Sequence, residues 1–181
     1  MSVRGVLQVH SAPPALCPHV EWAVAGVLGV PVSLPWVSQA AAPGMVRAEL
    51  NWQGSTGASA AITSALAGWS RLRFEVTEEA SPGCDAVRYS YTPDLGIFSA
   101  VTMANGDILV PESRLRAALA AAATPVMAGA PRPGTPGSLP DRASSLEDEI
   151  ARLLGQPWDD ELEPFRCAGD GAPVRWLHAT G

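Results

Sequence analysis

The sequence predicts an α+β fold: an antiparallel sheet on a ferredoxin-like βαββαβ core, extended by a β-meander, with C-terminal helices and a tail docking on the core. Three observations predict it. Runs at 3–10, 46–52 and 72–76 alternate apolar and polar side chains, the pattern of strands with one buried face. Two helical segments echo one another, Ala23-Val24-Ala25-Gly26-Val27-Leu28-Gly29 before one strand and Ala61-Ile62-Thr63-Ser64-Ala65-Leu66-Ala67-Gly68 before another. Pro31 and Pro35 fall in the segment that a split βαβ topology places at a sheet edge, where a strand tolerates residues without an N–H.

The elements follow in order. Val3, Gly5, Leu7 and Val9 alternate against Arg4, Gln8 and His10 in a half-buried strand. Pro18 at a first helical position and Gly29 at the stop bound a helix over 18–28, with Val20, Val24, Val27 and Leu28 on one face. Val30, Val32, Leu34 and Trp36 give the edge strand. Val46, Ala48, Leu50 and Trp52 alternate against Arg47, Glu49 and Asn51, a central strand. After Gly54-Ser55-Thr56-Gly57 comes an Ala-rich helix with Ile62, Leu66 and Trp69, then a strand through Leu72, Phe74 and Val76. Residues 86–92 and 97–104 form the meander, and Asn105-Gly106 is a two-residue hairpin signal leading to 108–110.

Pro111 and Glu112 open a helix to about 123. Residues 1–123 are therefore expected as the core domain and 124–143, rich in Pro, Gly and Ala, as a linker with too little apolar surface to offset its ordering entropy. Residues 144–181 are expected to pack back on the core through a helix capped by Ser145 and Asp148 and a tail with a strand at Val174 to His178.

Composition excludes whole classes of function. The net charge of −6 disfavours nucleic-acid phosphates and anionic lipid as partners. All 12 basic residues are Arg, which removes phosphate-loop lysines, Schiff bases and serine–lysine dyads. Cys17, Cys84 and Cys167 are odd in number and far apart, unlike a disulfide framework, and suit a reducing cytoplasm. Pro14-Ala15-Leu16-Cys17 has the outline of a lipoprotein cleavage site, but bulky Leu16 stands where a small residue is required, so export is not expected. Gly26, Gly29, Pro31 and Pro35 interrupt the apolar run 24–37, leaving no membrane helix of about 20 residues.

Several groups could carry chemistry. His10, Cys17 and His19 combine imidazole and thiol at a strand end and a helix start, a set suited to zinc or to a Cys–His nucleophile; packed as a small buried thiol beside two polar histidines they would do neither. Gly54 to Gly57 could offer helix-start N–H groups to an anion, or serve as a turn capped by Ser or Thr. Asp159, Asp160, Glu161 and Glu163 could hold a cation, but as a run they read as a solvated charged turn anchored by Trp158 and Phe165. Arg4, Arg47, Arg71 and Arg73 should share the sheet face away from the helices with Glu49 and Glu75. That face is a mixed-charge solvent surface, a docking surface for an acidic partner or anionic ligand, or a surface covered by the chain's own acidic tail. Tyr89, Tyr91 and Asp94 could line a ligand groove near the meander turn or serve as packing and a turn cap.

The segments His10-Ser11-Ala12-Pro13-Pro14-Ala15-Leu16-Cys17-Pro18-His19-Val20-Glu21-Trp22, Tyr89-Ser90-Tyr91-Thr92-Pro93-Asp94-Leu95-Gly96-Ile97-Phe98 and Pro157-Trp158-Asp159-Asp160-Glu161-Leu162-Glu163-Pro164-Phe165 carry a resemblance. Over nearly its whole length, with 124–142 the departing part, the chain resembles an uncharacterised actinobacterial family classed as a domain of unknown function. The resemblance implies a high-GC actinobacterial cytoplasm, no assigned catalytic residues, and genes beside those of fatty-acid synthesis, hence an acidic acyl carrier protein or a synthase as partner. The expected function is thus a non-catalytic binding or regulatory protein, accessory to lipid synthesis, without a cofactor, with homodimer formation left open. The alternative is a small enzyme or metal-dependent hydrolase using His10, Cys17 and His19. Nucleic-acid binding is disfavoured by charge and by the lack of sheet-facing aromatics for stacking bases.

Overall fold

A computed structural model describes residues 2–123 and 146–166. Its sheet runs in the order β2-β3-β1-β4-β5-β6-β7 with every neighbouring pair antiparallel. The strands are β1 (Ser2–Ala12), β2 (Val37–Ser38), β3 (Val46–Ser55), β4 (Arg73–Glu78), β5 (Ala86–Thr92), β6 (Gly96–Thr102) and β7 (Ile108–Leu109). Helices α1 (Cys17–Leu28) and α2 (Ala58–Leu66) connect β1 to β2 and β3 to β4. The α+β architecture, the meander and most strand positions agree with the sequence pattern.

Alternation along the strands decides where the core lies. Leu7 and Val9 of β1, Ala48 and Trp52 of β3, and Phe74 and Val76 of β4 point to the side covered by Val20 and Val24 of α1 and Ile62 and Leu66 of α2. Leu7, Phe74, Ile62 and Leu66 are fully buried, each worth about 1.5–3 kcal/mol of transfer free energy. Gly5 is required by close packing: a Cβ there would lie 2.0 Å from Thr77 O and 2.2 Å from Trp52 Cζ2. Gly29 ends α1 at φ 70, a left-handed conformation that glycine adopts without steric cost.

The edge strand expected at 30–36 does not form, and β2 is confined to Val37–Ser38. The inward alternation is real, since Leu34 is buried and Val32 and Trp36 pack against the core. Pro31 and Pro35 cannot supply ladder donors, and the segment bonds to a side chain instead. Leu34 N and Trp36 Nε1 donate to Glu21 Oε1 of α1 at 2.8 and 3.0 Å. Because β2 pairs with Val46 and Arg47 alone, the strand expected to be central borders the sheet edge for most of its length.

Two units partition the chain: Met1–Leu109 with the segment from Pro157 onward, and Val110–Gln156. The second holds α3 (Glu112–Ala123) and α4 (Leu146–Leu153). In α3, Arg116 Nη2 and Glu112 Oε1 form an exposed i,i+4 pair at 2.5 Å, and α4 ends at Gly155 with φ 76. The expected linker at 124–143, the Ser145 cap and the strand at 174–178 lie outside the described residues.

The acidic run is not a solvated turn. Residues Gln156–Arg166 form helix α5, with Pro164 inside it and Leu162 fully buried. Trp158, Leu162, Phe165 and Arg166 recur at helical spacing, so one face of α5 is apolar and aromatic. Trp158 packs on Phe98 of β6, with ring centroids 5.2 Å apart, and its Nε1 donates to Gly96 O at 2.9 Å. Helix α5 therefore packs on the sheet side opposite α1 and α2, where Phe98 points.

Candidate functional site

The site grows from one strand position. Glu75 lies between Gln8 of β1 and Ser90 of β5, on the face away from α1 and α2, and is 1% exposed. An ionised carboxylate so buried is costly unless its oxygens are bonded and its charge is balanced. Both conditions are met from three directions.

From β1 comes His10. Val9 pairs with Phe74 and Ser11 with Arg73, so His10 is the extra residue of a β-bulge. The bulge turns its ring to Glu75, Nε2 lying 2.7 Å from Glu75 Oε2. From β5, Arg88 donates through Nε and Nη2 to Glu75 Oε1 at 3.0 and 2.6 Å, and Ser90 Oγ donates at 3.1 Å. From α5, Arg166 donates through Nη2 to Oε1 at 2.7 Å and Nε to Oε2 at 2.9 Å. Asp159, about two turns earlier on the same face of α5, accepts from Arg166 Nη2 at 2.7 Å and from Arg88 Nη2.

Opposite charges set the direction in which Glu75, Arg88 and Arg166 are shifted. Burial alone would push the Glu75 carboxyl up, but the hydrogen bond to His10 and the positive charges of Arg88 and Arg166 outweigh it and hold the group well below the usual carboxylate range. Burial would likewise push Arg88 and Arg166 down; the carboxylates of Glu75 and Asp159 reverse this and raise both. Two carboxylates and two guanidinium groups thus form a neutral buried quartet. With its oxygens occupied and its proton affinity lowered, Glu75 is a poor general base and a good anchor. Around the quartet, Gln39 Nε2 donates to His10 O at 2.5 Å and Phe165 O at 3.1 Å. Arg73 Nε donates to Glu161 Oε1 at 3.0 Å while its guanidinium lies 4.9 Å from the Phe165 ring centroid.

The residues singled out from sequence are dispersed. Arg73 is held by α5, with Asp94, 80% exposed, 4.0 Å from its Nη2. Arg4 is exposed opposite Gln53 at one end of β3, and Arg47 pairs with Val37 near the other, six residues and about 20 Å away along the strand. Arg71 is exposed ahead of β4, its Nη2 4.0 Å from Met45 Sδ. Tyr91 turns to the helix-covered face, stacks on Phe74 at 5.1 Å and accepts from Gly68 N at 3.0 Å. The four arginines therefore do not converge on one patch, and Tyr91 does not share a groove with Asp94.

His10, Cys17 and His19 are also kept apart. His10 lies on one sheet face, while α1, which carries Cys17 and exposed His19, covers the other. Partial burial and then the Glu21 charge push the Cys17 thiol up, disfavouring thiolate. Among the described residues, no three His, Cys, Asp or Glu side chains are placed to hold a metal. The helix-start donors after Gly54 to Gly57 meet the chain's own Glu78, which accepts from Gly57 N, Ser59 N and Ser59 Oγ at 2.8, 3.0 and 2.6 Å.

Sequence reasoning placed Glu75 on the uncovered face and met Asp159 only as part of an acidic run, and it missed Arg88 and Arg166. The signal for Arg88 was available in the polar alternation Arg88, Ser90, Thr92, and that for α5 in the spacing of Trp158, Leu162 and Phe165. Among the described residues no helix is long and apolar enough to cross a membrane.

No curated protein and no solved structure matches the sequence. One family model does, across residues 6–131 and 136–179, and it describes proteins of unknown function. A match of that extent leaves no ambiguity about kinship: the chain belongs to the DUF3145 family.

Proposed function

We propose that this is a non-catalytic binding or regulatory protein of the actinobacterial cytoplasm, accessory to fatty-acid or lipid synthesis, that docks an acidic carrier protein or a synthase. Its first four strands, ordered β2-β3-β1-β4 with α1 and α2 as crossovers, support the description of a ferredoxin-like core serving as scaffold. The observation that carries the reading is the use already made of the sheet face: guanidinium groups of Arg73 and Arg88 hold acidic side chains of α5. Planar guanidinium forks suit carboxylates, and a face that binds one acidic helix has the chemistry to bind another. The densest ionisable cluster meanwhile closes on itself, which suits anchoring better than turnover.

Calorimetric titration of the full chain with an actinobacterial acyl carrier protein, at low and high salt, tests this. Micromolar binding that weakens with salt is expected, since complementary charges across an interface are screened. Absence of heat at either salt concentration, together with no complex by analytical ultracentrifugation, would remove the proposed partner. The hydrolase reading requires His10, Cys17 and His19 on one side of the sheet, and no observation favours it.

A further inference from the structure

We infer that α5 is a replaceable occupant of the sheet face, which is itself a docking site for an acidic amphipathic helix on a partner protein. The inference rests on the binding function proposed above and specifies what binds and where. Four observations carry it.

The quartet divides along a neutral seam. On the sheet side Glu75 keeps Arg88, His10 and Ser90 as partners. On the helix side Asp159 and Arg166 bond to each other at 2.7 Å. Lifting α5 therefore strands no single buried charge, the outcome that ordinarily makes opening such a network prohibitive. Arg73 loses Glu161 but is already half-buried and keeps Asp94 at 4.0 Å.

Secondly, α5 is attached by side chains. Its backbone is tied to the sheet unit through Phe165 O, which accepts from Gln39 Nε2, whereas β4 and β5 keep their hydrogen-bond ladders with other strands. Helices this short are marginal in isolation, and Pro164 removes one internal donor, so a released α5 gains chain entropy by unwinding.

Thirdly, the face holds an unsatisfied polar group. Ser11 pairs with Arg73 and so shares its face; its hydroxyl is buried and has no hydrogen-bond partner. An occupant that reaches Ser11 Oγ would complete the site.

Fourthly, α5 itself defines the ligand chemistry. The order Trp158-Asp159-x-Glu161-Leu162 places an aromatic on Phe98, a carboxylate on Arg88, a second on Arg73 and a leucine that is fully buried. A partner helix with aromatic, acid, any residue, acid and leucine in that order would meet the same groups.

The test uses the full chain and a labelled, end-blocked peptide of residues 156–166, read by fluorescence anisotropy. In a Leu162→Ala chain, where the internal helix is weakened, peptide affinity should rise by about ten-fold over wild type. Asp159→Asn with Glu161→Gln in the peptide should lower affinity by about ten-fold. A folded Leu162→Ala chain that takes the peptide no better than wild type overturns the inference. Should that variant fail to fold, hydrogen exchange on wild type decides: α5 amides opening about 100-fold more often than those of β1 and β4 support it, and equal protection overturns it. A concentration-dependent dimer dissolved by the peptide would reassign the occupant to α5 of a second copy and overturn the partner assignment. Carrier binding without peptide exchange would refute this inference and leave the proposed function standing; peptide exchange without carrier binding would do the reverse.

Discussion

Replacing Glu75 with Gln is the sharpest probe of the buried quartet. The amide keeps the shape and some acceptor capacity but removes one of two negative charges facing Arg88 and Arg166. Arg88 is 4% exposed at its side chain and cannot turn to water, so the lost compensation is felt in full. Removing one partner of a buried ion pair costs about 3–5 kcal/mol, which for a chain of this size lowers Tm by about 6–20 °C. Thermal unfolding followed by far-UV circular dichroism at pH 7 measures it. A drop worth less than about 1 kcal/mol would refute the claim that the quartet holds the sheet and α5 together.

Pairing Glu75→Gln with Arg166→Met restores the charge balance. The double variant should therefore recover at least about 1 kcal/mol relative to the sum of the single losses. The pH dependence has a fixed sign. Because Glu75 is held below its ordinary value of 4.5 in the folded chain, its contribution is complete above that value. It declines as the pH falls below 4.5 and is gone once the folded-state carboxyl is protonated. Wild type should lose stability through this acid window, and Glu75→Gln should lose less over the same range; parallel curves would contradict the assignment.

Glu78→Gln should cost about 1–2 kcal/mol by chemical denaturation, since the carboxylate serves three donors at the start of α2. Gly5→Ala should give insoluble or unfolded protein, because its methyl would overlap Thr77 O and the Trp52 ring in a closed core; a soluble variant with wild-type Tm would disprove that packing. Trp22→Ser, at a side chain 79% exposed, should change stability by less than about 0.5 kcal/mol. In a Cys167→Ser chain at neutral pH, exposed Cys84 should react with a thiol reagent well before Cys17, and the reverse order, read by mass spectrometry, would contradict the environment given to Cys17.

What was legible in the sequence was whatever one residue's neighbours decide. Alternation located β1, β3 and β4 because a strand with one buried face must repeat every two residues, and Gly29 marked the end of α1 because the stop needs a left-handed residue. What escaped depended on partners distant in the chain. Pro31 and Pro35 announced an edge, but that Leu34 and Trp36 would bond to Glu21 rather than to a strand could not be read from residues 30–36 alone. The same holds more strongly for α5. Four acidic residues and a proline within 159–164 describe a poor helix in water, and only the sheet beneath makes it a good one. Leu162 needs a pocket, Asp159 needs Arg88, and Arg166 needs Glu75, 91 positions earlier. Of the arginines expected on that face, Arg73 meets the chain's own acidic helix, one of the three readings its charge allowed: opposite charge within the chain reaches the face first, at the high effective concentration that covalent connection supplies. An outside partner must compete with that helix, so any binding by this face is regulated by how firmly α5 is held.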